Sequence, residues 1–399
     1  MFSIKNKIDY NLRNAMKNKV YKKYRVIIHC KSLTLYPKIQ NIIKKYNNEI
    51  ISSTASIGCI SCLLSSKTIE KLTEYPEIDY ITFDNYALLC GSSILSANGI
   101  SFESKYNLTG KGVCIGLVDS GVYPHPDLKK PNNKIAEFTD LINNLHYPYD
   151  DNGHGTFISG ILSSSGYSSK GMYKGIAEKS NIYMIKAFNK LGRGYISQIL
   201  EAIDILINNS EKYNVKVICL PFEIIEYDEF ILSLFSKLFH MAVEKNIIIV
   251  VPSGHNTNLE YSMRGIALLK DCLTVGGIDT TSHKTPYLGS SSCPNNRFEK
   301  PDLSAACVNI CSLNSNIYYI SERNGKKLYP QPLEQPYTVY TGTSIAAAYI
   351  SGVCALLYEN NPNLTFKDIC SLIKLSTNML NFPKSLQGLG MINLNKIMP

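Results

Sequence analysis

Three residues lying far apart in the chain could do chemistry together. Ser344 sits in Gly342-Thr343-Ser344-Ile345-Ala346-Ala347-Ala348, where a Gly-Thr-Ser turn opens a run of Ala and spaced apolar residues. This predicts a buried helix with Ser344 in its first turn. The N–H groups of a helix start have no partner within the helix and favour a developing oxyanion, so the position suits a nucleophile. Serine is also a common helix cap, and the segment taken alone reads more readily that way. His154 stands between two glycines in Asp151-Asn152-Gly153-His154-Gly155-Thr156, at the start of a second apolar helix. By itself it reads as a capping or core histidine. Asp119 follows the apolar run 113–118, which predicts a buried parallel strand delivering the acid at its C-terminal tip. Ligands of open α/β sheets bind at that edge. An acid on a strand tip, then a histidine and a serine at later helix starts, are hard to explain separately. A hydroxyl is a poor nucleophile at neutral pH, so Ser344 requires His154 to take its proton, and His154 requires Asp119 to fix its tautomer and stabilise the imidazolium.

The elements that must position these residues alternate. Strands are expected at 113–118, 181–187, 215–220, 247–251 and 272–276, with helices at 155–162, 196–208, 230–244, 343–359 and 366–374. That order predicts a parallel α/β sheet. The piece 314–340, rich in Tyr, Pro and charge, interrupts the run as a solvated insertion or as a rim of the cleft. Ahead of this domain, 23–89 reads as strand, helix, two strands, helix and strand, a ferredoxin-like split β-α-β-β-α-β unit. Residues 1–22 form a basic, partly helical extension, 90–100 a linker, and 101–399 the main domain.

Val118-Asp119-Ser120-Gly121 with His125-Pro126-Asp127-Leu128, then Asn152-Gly153-His154-Gly155-Thr156, then Gly342-Thr343-Ser344-Ile345-Ala346 resemble the subtilisin-like serine proteases. The resemblance extends from about residue 95 onward and includes the Asp, His, Ser chain order. It implies a three-layer α/β domain with a mostly parallel seven-stranded sheet. It also implies a serine endopeptidase working on protein or peptide substrates through an acyl-enzyme. Placed before such a domain, the 23–89 unit resembles the family's inhibitory propeptide, an intramolecular partner that assists folding and lays its tail across the active site. Leu89-Cys90-Gly91-Ser92-Ser93 is then the expected region of self-cleavage.

Three places depart from the family's pattern. Cys219-Leu220-Pro221-Phe222-Glu223 stands where a Ser-Leu-Gly-like end carries the substrate-pairing strand. Pro removes a backbone donor and Glu adds bulk and charge where Gly leaves room. The substrate cleft, expected from Leu220, Pro221, Phe222, Glu223 and Gly254, is therefore altered: Glu223 either meets a basic substrate residue or points to solvent. In Pro252-Ser253-Gly254-His255-Asn256 the usual spacing puts His255 where a side-chain oxyanion donor belongs. Either His255 donates or a loop shift brings in Asn256. Losing such a donor costs about 3–4 kcal/mol of transition-state stabilisation. The third departure, Ala305-Ala306-Cys307 in place of Ala-Pro-Gly, is expected to alter a turn only. These departures also motivate the alternative that the fold is a catalytically weak or inactive pseudoprotease serving as a protein-binding module.

Composition suits a globular enzyme. The 399 residues can hold a large core and a smaller domain, and the charged fraction is 18%. The net charge of +9 draws on several lysines in the first 25 residues, which read as a solvated extension and not as a nucleic-acid or membrane arm. Basic and aromatic residues do not interleave as a base-stacking platform requires. The N-terminus has no apolar signal core, and no stretch approaches the ~18 uninterrupted apolar residues of a membrane helix. A cytoplasmic location is therefore expected. The twelve cysteines are scattered through apolar patterns and read as reduced, buried thiols. Cys59 with Cys62, and Cys307 with Cys311, lack the second ligand pair of a zinc site. No cofactor is expected; Asp127 matches a usual calcium-ligand position of the family, and calcium is possible there without being implied.

Overall fold

The computed structural model describes residues 7–46, 50–89, 108–225, 228–281, 283–293 and 300–396. The chain divides into two compact units, Met1–Tyr86 with Tyr195–Asp204, and Ala87–Gly194 with Ile205–Pro399.

In the first unit, strands lie in the order Ile50–Thr54, Cys59–Leu64, Tyr24–Cys30, Ile78–Phe83, and every neighbouring pair is antiparallel. Alternation within the strands puts Val26, Ile28, Ile60, Cys62 and Leu64 into one apolar cluster. Helix Tyr36–Lys45 adds Ile39, Ile42 and Ile43 to it, and helix Ser66–Thr73 adds Ile69 and Leu72. The i, i+3, i+4 spacing of those residues is what makes both segments helical. Part of the segment before residue 22 contributes to this core. Helix Tyr10–Lys17, capped by Asp9 accepting the N–H of Leu12, buries Leu12 and Met16 in the same core. Two apolar residues four apart in a lysine-rich segment are a weak signal, and the basic composition masked it.

In the second unit the large sheet runs Thr377–Asn378, Met391–Ile392, Leu303–Ala306, Leu273–Asp279, Ile248–Pro252, Val215–Cys219, Cys114–Asp119, Asn181–Lys186, Ile135–Asp140. From Met391–Ile392 onward every neighbouring pair is parallel. Seven of these strands, with four to seven residues each, form the sheet that the resemblance implied. Met391–Ile392, Thr377–Asn378 and Thr285–Pro286 extend it, the last two antiparallel. The sheet is covered on both faces. Ile115 and Leu117 enter the cluster that holds helices His154–Ser163 and Thr343–Asn360, while Gly116 between them faces Leu206. Burial on both sides explains why these strands read as continuous apolar runs. Helix Thr343–Asn360 is buried along nearly its whole length, so its sequence carries no polar stripe.

The piece 314–340 contains short strands. Ile310–Leu313 and Tyr337–Tyr340 pair as an antiparallel ladder, and Glu322–Arg323 pairs with Lys326–Lys327 inside it. Among the described residues no helix is long and apolar enough to cross a membrane.

Candidate active site

Asp119 is the last residue of its strand, and His154 and Ser344 open or nearly open their helices. The strand tip and the start of the first helix come close because Gly155 has no side chain. A Cβ there would lie 2.1 Å from the carbonyl oxygen of Gly121. Through that approach His154 Nδ1 reaches both carboxylate oxygens of Asp119 at 2.9 Å. Oδ1 of Asp119 also accepts the N–H of Ser120 at 2.6 Å. On the other side of the ring, Nε2 lies 3.2 Å from the hydroxyl oxygen of Ser344. Asp119 is fully buried and Ser344 is 1% exposed; the His154 side chain keeps 12%. A carboxylate on Nδ1 holds the proton there and leaves Nε2 as the acceptor facing the hydroxyl.

Two residues that the sequence reading did not single out support this trio. Asp150 is wholly buried and takes donors on both oxygens. Oδ1 accepts from Ser120 Oγ (2.9 Å), Asn152 N (3.0 Å) and Gly153 N (2.8 Å). Oδ2 accepts from Thr156 N (2.8 Å) and Thr156 Oγ1 (2.6 Å). It therefore satisfies the free N–H groups at the start of the His154 helix and ties them to the turn after Asp119. An acid just ahead of a glycine-rich helix start was the available signal. Lys186, buried at the end of its strand beside Asp119, donates to the carbonyls of Ser120 and Phe188 and to the carboxylate of Asp151. Its lysine sits in an apolar run, Ile182-Tyr183-Met184-Ile185-Lys186, where it reads simply as a strand end.

The substrate-strand residues take a definite form. Leu220 and Phe222 are buried, and Phe222 packs on Phe188 with ring centroids 5.0 Å apart. Pro221 precedes the ladder, so its missing donor does not prevent Phe222–Ile224 from pairing antiparallel with Ala87–Leu89, in the register Phe222 to Leu89, Glu223 to Leu88, Ile224 to Ala87. The short sheet places Tyr86–Leu89 between Phe222–Ile224 and Arg193–Tyr195. Of the expected self-cleavage stretch, residues 90–93 lie outside the described residues, as does the linker to 100.

The Glu223 carboxylate turns toward loop 254–256. Its Oε2 accepts the backbone N–H of His255 (3.0 Å) and the side-chain Nδ2 of Asn256 (2.9 Å). The loop carrying His255 is brought to Ser344 by the hydroxyl of Thr343, which donates to the carbonyl of Gly254 at 3.1 Å. The His255 ring lies beside Tyr287, whose hydroxyl is 3.4 Å from Nδ1. At the third departure, Leu303–Ala306 continues as a strand, and the carbonyl of buried Cys307 accepts the N–H of Gly342 at 3.0 Å, anchoring the start of the Ser344 helix. Burial pushes the Cys307 thiol well up, which leaves it an inert apolar contact.

The Asp127 carboxylate accepts from Ser168 N (2.9 Å), Ser164 Oγ (3.2 Å) and Tyr337 OH (2.6 Å), so both of its oxygens are engaged within the protein. Beside it, burial pulls the His125 pKa down against the Asp127 charge and the Pro336 carbonyl. Among the described residues no group of three or more His, Cys, Asp or Glu is arranged to hold a metal ion.

The covered parallel sheet, with its serine, histidine and aspartate gathered at one edge, defines the class as subtilisin-like. The chain belongs to the Subtilase family of serine proteases, whose family model matches residues 110–391. It is 30% identical over 371 residues to serine protease AprX of Bacillus subtilis, covering 89% of this chain and 82% of AprX. It is 27% identical over 293 residues to subtilisin-like protease 1 of Plasmodium berghei, covering 68% of this chain and 47% of that one. Among solved structures, fervidolysin from Fervidobacterium pennivorans superposes with a TM-score of 0.73 at 17% identity, over 94% of this chain and 61% of the other. The epidermin leader peptide processing protease of Staphylococcus aureus gives 0.68 at 18% identity, over 94% and 99%. The last two likenesses carry the fold alone.

Proposed function

We propose that the protein is a serine endopeptidase in which Ser344 is the nucleophile, His154 the general base and acid, and Asp119 the residue that orients His154. The observation that carries this is the chain of contacts from Asp119 through His154, 2.9 Å on one side of the ring and 3.2 Å on the other, to Ser344. Ser344 Oγ attacks the scissile carbonyl carbon while its proton passes to His154 Nε2. The tetrahedral oxyanion is held by the backbone N–H of Ser344 and the ring N–H of His255. The intermediate then collapses, the C–N bond breaks, and the leaving amine takes the proton from His154. Water repeats the sequence on the acyl-enzyme to free the acid and Ser344. Asn256 is left out because its amide nitrogen donates to Glu223. A serine-directed phosphonate tests the reading: labelling that disappears in Ser344→Ala is expected, and a folded wild type that stays unlabelled supports the pseudoprotease instead.

Substrate binding follows from the short sheet. A peptide lying in the place of Ala87–Leu89 adds a strand against Phe222–Ile224 by backbone hydrogen bonds. That the chain's own segment pairs there supports a zymogen whose N-terminal domain inhibits until it is cut, in the Leu89–Ser93 stretch, by its own Ser344. A cytosolic site of action agrees with buried free thiols such as those of Cys30, Cys62, Cys114, Cys219 and Cys354. Alkylation of the denatured, unreduced protein should modify all twelve thiols; a shortfall in pairs overturns that location.

A further inference from the structure

Glu223 is the middle residue of the strand that a peptide would pair with, opposite Leu88 in the register. Strand pairing uses the backbone and places no demand on a carboxylate there, yet the carboxylate is engaged. Its Oε2 takes the N–H of His255 and the Nδ2 of Asn256. Gly254 has φ +106°, and a Cβ built on it would lie 2.6 Å from that same oxygen. The carboxylate therefore lies flush against the Gly254 backbone, in space that any side chain on residue 254 would fill. The loop is held from other sides as well. The Gly254 carbonyl accepts Thr343 Oγ1 (3.1 Å) and Ser291 N (3.2 Å), and Asn256 N donates to Ser291 Oγ (2.9 Å). Loop 254–256 thus hangs between the residue preceding Ser344 and the peptide-pairing strand, and Glu223 is its tie to that strand.

We infer that Glu223 is a positioning residue for oxyanion stabilisation. It holds the Gly254–His255 peptide and the base of the His255 side chain in register with Ser344, and it draws Asn256 aside. The inference rests on the serine peptidase reading above. Hydrogen bonds to a carboxylate are roughly twice as strong as neutral ones, so a glycine at this strand position could not hold the loop equally well. An oxyanion donor works by being in place before charge develops. A slack loop therefore lowers kcat and leaves substrate binding nearly untouched. A role in recruiting a cationic substrate residue is the competing reading, and the two donors already on Oε2 argue against it.

The test uses the processed protein, peptide anilides with neutral or cationic residues near the cleaved bond, and a peptide aldehyde that forms a tetrahedral adduct with the serine. Glu223→Ala is expected to lower kcat about tenfold on every substrate with KM within about twofold, and to weaken the aldehyde by a similar factor. Glu223→Gln, which keeps an acceptor for the His255 N–H, should recover most of the loss. Glu223→Asp, too short to reach, should not, and this pair keeps the test decisive where the Ala variant fails to fold. Unchanged kcat and aldehyde affinity overturn the inference. So does a KM change confined to cationic substrates, which would make Glu223 a specificity residue, and so does a Gln variant no better than Ala with an equally lowered melting temperature. A wild type that neither turns over nor labels at Ser344 overturns the peptidase reading, and this inference with it.

Discussion

Two neighbouring side chains of loop 254–256 make different contacts. Asn256 donates its amide to Glu223 at 2.9 Å, while His255 spends only its backbone N–H there and keeps its ring beside Tyr287. Removing an oxyanion donor lowers kcat by roughly 10²–10³. His255→Ala is accordingly expected to lose about that factor in kcat with little change in KM, while Asn256→Ala loses much less; steady-state kinetics on one peptide anilide separates them. If the larger loss falls on Asn256, its amide must leave Glu223 during turnover. Asp119→Asn should keep the fold, since the thermal midpoint reads packing, but lose on the order of 10⁴ in kcat because an amide favours the wrong tautomer of His154. Asp119, His154 and Ser344 stood out in the sequence because each sits at the end or the start of a strongly patterned element. Glu223 was visible as an oddity, but its partners lie 32 and 33 positions away, and no local pattern reports a contact of that kind.

At the level of elements, the start of the His154 helix depends on Asp150. Asp150→Ala removes the acceptor for three backbone N–H groups and two hydroxyls at once. Leaving buried donors unmet costs about 1–3 kcal/mol each before relaxation, and several are affected, so a loss on the order of 4 kcal/mol is expected in chemical denaturation, together with a fall in kcat as His154 drifts from Ser344. The first unit carries a pH signature on another helix. Glu201, desolvated by burial, bonded to Ser52 and facing the Asp204 charge, has its pKa pushed up to about 7. A carboxyl raised in the folded state favours folding while it is protonated. Its contribution is whole below the unfolded value near 4.3 and is lost as pH rises toward about 7. Full-length Ser344→Ala should therefore lose more thermal stability between pH 4.5 and 8, as a working range of about those values, than the same protein carrying Glu201→Gln. The difference should be at most about 3 kcal/mol, reduced by screening at the exposed edge. Equal slopes would remove Glu201 as the cause.

For the molecule as a whole, the pairing of Ala87–Leu89 with Phe222–Ile224 predicts self-processing. Purified wild type should lose the segment ahead of the Leu89–Ser93 stretch, while Ser344→Ala keeps its full mass; equal masses in intact-protein spectrometry would remove the zymogen. Period and punctuation in the sequence sufficed for the alternating strands and helices, the split β-α-β-β-α-β unit and the three site residues, because burial on one or both faces writes itself into neighbouring positions. The strands Ile135–Asp140 and Leu303–Ala306 were not legible, since one mixes polar with apolar residues and the other is built of small ones. The same holds for the core role of helix Tyr10–Lys17 and the ladder closing 310–340. Which carboxylate meets loop 254–256, which donors surround Asp150 and where Asp127 spends its oxygens were settled only in three dimensions. A side chain's hydrogen-bond partners follow from the meeting of segments remote in sequence, and that geometry belongs to the packed fold and not to any stretch of chain.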